Sequence, residues 1–204
     1  MDCGAFELGG RLECADASIK DNFLNKKSFF QGHKLHVYDI SAPACKALKS
    51  KGASVCANQQ EVASKSDFVI TMLPNNDIVA QTYEAMVANG ANPNTVFIDS
   101  STIDPLVAKS VQKLVKSKGA SFVDAPVSGG VPGAENATLT FMVGGTKHEY
   151  ETVKGILECM GQRITHCGDY GMGQAAKICN NMMLGISMIG VCETMNLAIR
   201  FVKL

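Results

Sequence analysis

An α/β fold built on a mostly parallel sheet is predicted by three features of this 204-residue sequence. From residue 34 onward, short β-rich runs alternate with amphipathic helical runs, the pattern of strands joined by crossover helices. Two of those runs, Asp67–Leu73 (DFVITML) and Thr95–Asp99 (TVFID), are almost continuously apolar, as strands buried on both faces are. Beyond Gly171 the alternation stops and one long, apolar helix takes over.

Taken in order, Lys34–Tyr38 (KLHVY) reads as the first clear strand and Ala42–Ser50 as the helix after it. A short strand at Ser54–Cys56 and a helix from Gln59 follow. Pro74 ends the DFVITML strand, a helix covers Asp77–Val87, and Asn89–Asn94 is a turn cluster. After TVFID, Asp104-Pro105 opens a helix with a capping carboxylate before a proline at the first helical position. Leu106, Val107, Val111, Leu114 and Val115 give that helix its apolar face, and Gly119 ends it. Strands at Ser121–Asp124, Leu139–Val143 and Arg163–Cys167, with a helix over Lys147–Met160, complete the alternation. The last helix is apolar almost all round (Ile178, Met182, Met183, Leu184, Ile186, Met188, Ile189, Val191), so it is expected to be buried in something larger. Residues 1–30 show neither a strand nor an amphipathic repeat and are read as irregular.

Composition narrows the function classes. Hydrophobic residues make up 46% and charged residues 19%, enough apolar content for a sizeable core. Nineteen basic residues balance nineteen acidic ones, and no basic run interleaved with aromatics recommends nucleic acid. The eight cysteines lack CxxC or zinc-like spacing, which predicts free thiols in a reducing compartment. His33 and His36 have no nearby carboxylate cluster, so no metal site is expected. No uninterrupted apolar run has the length of a bilayer span, and no membrane association is expected. Acidic residues Asp2, Glu7, Glu13 and Asp16 do not suit a transit peptide.

The residues that carry chemistry fall in three places. Lys177 and Asn181 lie four apart on one helical stripe, so an ammonium and a carboxamide can reach one small ligand together. Oxidation of a hydroxyl to a carbonyl needs one group to move a proton and another to hold the oxygen. A solvated lysine beside a capping asparagine accounts for the same pair. In Ser128-Gly129-Gly130, two glycines after a serine let backbone amides converge on a carboxylate or phosphate; an ordinary glycine-rich loop is the other reading. At strand ends, Asp39 suits a ribose-binding acid of a dinucleotide-binding fold, or a cap for the next helix. Leu73-Pro74 and Ser100-Ser101-Thr102 lie at the carboxyl ends of strands, where open α/β sheets bind ligands. Gly171-Met172-Gly173-Gln174-Ala175-Ala176 matches GxGxxA formally but is no dinucleotide fingerprint, because the chain continues as helix past Glu193.

DSSTIDP, DAPVSGGV, LTFMVGG and GQAAKICNNMMLGISMIG, in this order between about Gly32 and Arg200, resemble the β-hydroxyacid dehydrogenase family, and within it the 3-hydroxyisobutyrate dehydrogenases. The resemblance implies NAD-dependent oxidation of 3-hydroxyisobutyrate to methylmalonate semialdehyde, a step of valine catabolism, in the mitochondrial matrix. It carries the family's catalytic lysine onto Lys177 and its partner asparagine onto Asn181. It carries the substrate carboxylate onto Ser128, Gly129 and Gly130, and NAD contacts onto Leu73, Pro74 and Thr102. A further family contact lands on Ile78, where a polar residue is usual, and is not carried over. It also implies a homo-oligomer and a small hydroxy-acid substrate.

Two departures from the family set further expectations. No strand followed by a GLGxMG turn precedes residue 31; Gly9-Gly10 has the wrong spacing. The expected fold is therefore a Rossmann-like sheet lacking its first strand, with a central gap of roughly 9–10 Å and unpaired backbone on both sides. The chain also stops at Leu204, inside the long helix, before most of the helical domain that supplies a second cofactor-facing lysine and the dimer contact. The expected organisation is an irregular segment 1–30, an incomplete dinucleotide-binding domain 31–167 and the beginning of a helical domain 168–204. An inactive isoform or fragment associating through its exposed helix is one alternative function. A relative acting on tartronate semialdehyde or glyoxylate is the other.

Overall fold

The computed structural model describes residues 2–7, 33–88 and 92–202. Its strands are β1 (Asp2–Glu7), β2 (Lys34–Asp39), β3 (Ser54–Val55), β4 (Phe68–Thr71), β5 (Val96–Asp99), β6 (Ser121–Asp124), β7 (Val127–Ser128), β8 (Leu139–Gly144) and β9 (Gly161–Gly168). The described helices are α1 (Ala42–Ser50), α2 (Gln59–Lys65), α3 (Asn76–Ala88), α4 (Pro105–Ser117), α5 (Gly130–Glu135), α6 (Lys147–Glu158) and α7 (Met172–Val202).

The strands form one nine-stranded sheet. Strands β3, β2, β1, β4, β5 and β6 lie side by side, each parallel to the next. Strand β8 then pairs antiparallel with β6 at Asp124–Gly144 and with β7 at Val127–Phe141, and β9 runs parallel along β8. Alternate strand residues feed two cores, the period-2 consequence of the pleat. Phe68, Ile70, Ile98 and Val123 join Leu48 of α1 and Val153 and Leu157 of α6 in one core. Val69, Phe97 and Phe122 join Val79, Tyr83 and Met86 of α3 and Val111 and Val115 of α4 in the other. Helix starts are capped as their residues predict: Asn58 accepts the Glu61 N–H, Asp104 the Leu106 N–H, and Thr146 and Glu149 form a reciprocal capping box.

The central gap expected from the sequence is filled. Asp2–Glu7 is a strand that pairs with β2 along six residues, Asp2–Lys34 to Glu7–Asp39, and with β4 from Cys3–Phe68 to Phe6–Thr71. The sequence DCGAFE carries no β-branched residue and an internal glycine, so local preference argues against a strand. Two flanking strands, β2 and β4, whose facing backbone groups would otherwise be unpaired, outweigh that preference. Gly9-Gly10 and the rest of the following turn lie outside the described residues.

Two further expectations change. The loop expected around Ser128-Gly129-Gly130 is a two-residue strand followed by the short helix α5. Helix α7 buries only Gly173 and Gln174, while Met182, Leu184 and Ile189 are each at least 60% exposed. By length and composition α7 is long and apolar enough to cross a membrane, its most apolar window having a mean hydropathy of 1.5. Counting uninterrupted apolar residues missed this, because polar residues such as Glu193 and Asn196 break the run without lowering the window's mean enough.

Candidate active site

The start of α7 is anchored beside the end of β6. Both oxygens of the buried Asp124 carboxylate accept backbone N–H groups from the helix's first turn: Gly171 at 2.7 Å and Gln174 at 3.0 Å. Gly173 makes the approach possible. A Cβ there would meet the Met142 carbonyl oxygen, and would lie 2.8 Å from Asp124 Oδ2 and 2.9 Å from the Asp124 carbonyl oxygen. Burial pushes the Asp124 carboxyl up from its ordinary value, and the amide hydrogen bonds hold it down.

From Asp124 the chain continues through Ala125-Pro126 into β7 and bends at Gly129 and Gly130. Their φ values of 139° and 58° are positive, a region that favours glycine. Lys177, near the start of α7, reaches across to this bend, its Nζ donating to Ser128 Oγ at 2.7 Å. Around the pair lies a cavity of about 340 Å³. Ser128, Gly129, Gly130, Lys177 and Asn181 supply its polar lining; Met72, Val127, Ala134, Leu139 and Leu184 supply an apolar wall. The half-buried Lys177 amine is held below the ordinary lysine range by desolvation. The positive end of α7 would push the amine the same way, but Asp124 occupies that end with a carboxylate and offsets it. Asn181 lines the same cavity from an exposed position one turn further on.

The four residues assigned to the cofactor lie along the carboxyl edge of the parallel strands. Asp39 ends β2, and its carboxylate accepts the N–H of Ser41, the residue before α1, at 2.6 Å; it does not cap α1, whose first turn receives no side-chain hydrogen bond. Leu73 is buried, with its N–H on Ser101 Oγ at 2.8 Å, and Pro74 follows half-buried before α3. Of the three hydroxyl residues after β5 only Thr102 is exposed; Ser100 and Ser101 are buried. Ile78 is half-buried against the second core. Strand β1 has β2 on one side and β4 on the other, so the chain order reverses there, the position where such sheets bind dinucleotides. Met72, one residue before Leu73, lines the Lys177 cavity and so joins the two regions. The residues present fit a dinucleotide along that edge.

The sequence reading missed a buried polar network behind this edge. Asp99 Oδ1 accepts from Thr71 Oγ1 at 2.9 Å and Ser101 Oγ at 2.6 Å, and burial pushes this carboxyl up to about 6. Gln174, fully buried, bonds to Ser101 and Ile103. Its sequence signal was its place three residues before Lys177, on the same stripe.

Residues 24–168 match the family described as the NAD binding domain of 6-phosphogluconate dehydrogenase. The chain is 69% identical over 169 residues to the mitochondrial 3-hydroxyisobutyrate dehydrogenase of Drosophila melanogaster, covering 83% of this chain and 52% of that protein. Against the mitochondrial 3-hydroxyisobutyrate dehydrogenase of Mus musculus, identity is 47% over 183 residues, covering 88% and 54%. The chain thus spans about half the length of the curated relatives it matches. Among solved structures, the Mycobacterium tuberculosis 3-hydroxyisobutyrate dehydrogenase with L-serine superposes with a TM-score of 0.86 at 39% identity, covering 98% of this chain and 66% of that one.

Proposed function

This chain belongs to the family of the NAD binding domain of 6-phosphogluconate dehydrogenase, and on that premise we propose that it acts in the NAD-dependent oxidation of 3-hydroxyisobutyrate to methylmalonate semialdehyde. The observation that carries this reading is the 2.7 Å contact between Lys177 Nζ and Ser128 Oγ across one cavity. Likeness to the fly and mouse enzymes supports the substrate and a mitochondrial location. L-serine, present with the mycobacterial relative, has the same layout of a hydroxyl on the carbon β to a carboxylate.

Asp39, Leu73, Pro74 and Thr102 would hold NAD along the strand edge, where it would supply the hydride acceptor. Ser128, Gly129 and Gly130 hold the substrate carboxylate. Lys177, unprotonated, takes the hydroxyl proton as the C–H bond breaks; burial lowers its proton affinity toward that task. Asn181 donates to the same oxygen and keeps it aligned. Val127, Ala134 and Leu139 receive the methyl branch and exclude water. In this reading β1 joins residues 31–167 in the dinucleotide-binding domain, and 168–204 belong to a helical domain whose exposed apolar face packs in the assembled protein.

Lys177→Ala and Lys177→Arg test the assignment. Turnover of 3-hydroxyisobutyrate falls by about 10²–10⁴ while NADH affinity, read by fluorescence titration, stays near wild type. Wild-type turnover in either variant removes Lys177 from the mechanism.

A further inference from the structure

Gln174 stands three residues before Lys177 on α7 and is 0% exposed. Both ends of its side chain are paired to one loop: Nε2 donates to the Ser101 carbonyl at 2.7 Å, and Oε1 accepts the Ile103 N–H at 3.1 Å. Thr102, exposed, is the residue between these two contacts. The same loop is fastened to the next one, since Ser101 Oγ accepts the Leu73 N–H at 2.8 Å. Gln174 is fixed in turn by its own N–H, which donates to Asp124 Oδ2 at 3.0 Å. An unbroken chain of hydrogen bonds thus runs from the loop after β4, through the loop after β5, to the helix that carries Lys177.

An amide with both ends paired to buried backbone behaves as a strut. Displacing either end strands a buried donor or acceptor, which is unfavourable for each group. Gln174 and Lys177 are about 4.5 Å apart along the helix axis, so a shift at the strut carries over to Nζ almost undiminished.

We propose that Gln174 is a positioning residue for the oxidation, holding the Ser101–Ile103 loop, and through Ser101 the Leu73-Pro74 loop, at one separation from Lys177. The proposal rests on the dehydrogenase reading above. Gln174 lies behind the loops assigned to the cofactor and acts through them: it fixes the distance between the strand edge where hydride is accepted and the amine that accepts the proton. A misplacement of about 1 Å at a reacting centre costs on the order of 10²-fold in rate.

Gln174→Met keeps the length of the side chain and removes both hydrogen bonds. With the full chain, turnover per NADH-binding site is expected to fall about 10–100-fold, with the hydroxy-acid KM within about threefold of wild type. The primary deuterium isotope effect on kcat, from substrate deuterated at the hydroxyl carbon, should rise as the C–H step becomes limiting. Hydrogen exchange supplies a readout independent of activity: the Ile103 amide should exchange at least about tenfold faster, with the Val123 and Phe141 amides unchanged. Wild-type turnover with an unchanged isotope effect overturns the proposal. So does a loss of turnover that merely tracks a loss of NADH-binding sites, or faster exchange spread evenly through the sheet. If Gln174→Met does not fold, Ser101→Ala carries the same kinetic measurements with the Leu73 amide as the exchange readout in place of Ile103, because it unfastens Leu73 from Ser101 Oγ while leaving the Gln174 contacts in place. Absence of NAD-dependent oxidation in the wild-type chain counts against the dehydrogenase reading itself; Ile103 exchange in the variant then decides separately whether Gln174 clamps the loop.

Discussion

Lys177 Nζ donates to Ser128 Oγ at 2.7 Å, joining residues 49 positions apart and bringing the start of α7 onto the glycine bend. A neutral hydroxyl leaves the charge on the amine unbalanced, so desolvation dominates and lowers the lysine's proton affinity. In the proposed oxidation the amine must be unprotonated. The rate is therefore expected to fall as pH drops through a limb that lies below the range of an exposed lysine. Lys177→Ala should erase that limb from the pH profile of kcat.

Ser128→Ala removes the oxygen on which the amine rests. A hydrogen bond to a charged group contributes about 1.5–3 kcal/mol, which corresponds to a loss of about 10–100-fold in kcat/KM. Steady-state kinetics with 3-hydroxyisobutyrate measure this directly. Unchanged kcat and KM would show that the contact has no part in turnover.

Gly173→Ala tests the anchoring of α7. The added methyl group is driven into the Met142 carbonyl and sits 2.8 Å from Asp124 Oδ2, with little but backbone and a bonded carboxylate to yield. Overpacking of this kind costs about 1–3 kcal/mol, which lowers Tm by roughly 2–12 °C in a domain of this size. A thermal scan at wild-type Tm would show that α7 can shift freely.

Asp99 gives stability a pH dependence with a definite sign. Burial raises its folded-state pKa from 3.8 to about 6. Between these values the folded chain holds a proton that the unfolded chain releases. This group's contribution is therefore greatest below about pH 4, declines as pH rises to about 6, and is constant above. The decline amounts to about 3 kcal/mol. Asp99→Asn keeps an oxygen for the Thr71 and Ser101 donors and cannot titrate. Urea midpoints measured from pH 4 to 7 should lose this declining component in the variant; identical slopes in both proteins would rule Asp99 out as its source.

Much of the fold was legible because its signals are local. DFVITML and TVFID announce strands buried on both faces, and Asp104-Pro105 announces a helix start; each lies within a residue or two of the observed element. The stripe joining Lys177 and Asn181 follows from helical geometry alone. DCGAFE was illegible for the opposite reason, since among those six residues Phe6 alone favours a strand clearly and Gly4 and the two acids oppose one. Gln174 was hidden too: its partners lie more than seventy positions away, so spacing along the chain cannot reveal that its amide ends meet Ser101 and Ile103.

From its sequence alone this protein was an alternating α/β chain with an amine and a carboxamide on one helical stripe, because periodicity records which face of an element is buried. Tertiary structure decided what those faces meet. It placed β1 between β2 and β4, set the Asp124 carboxylate against the positive end of α7, and turned the Lys177 amine onto Ser128. Backbone pairing and desolvation depend on groups brought close through space, and the order of residues along the chain does not contain those distances.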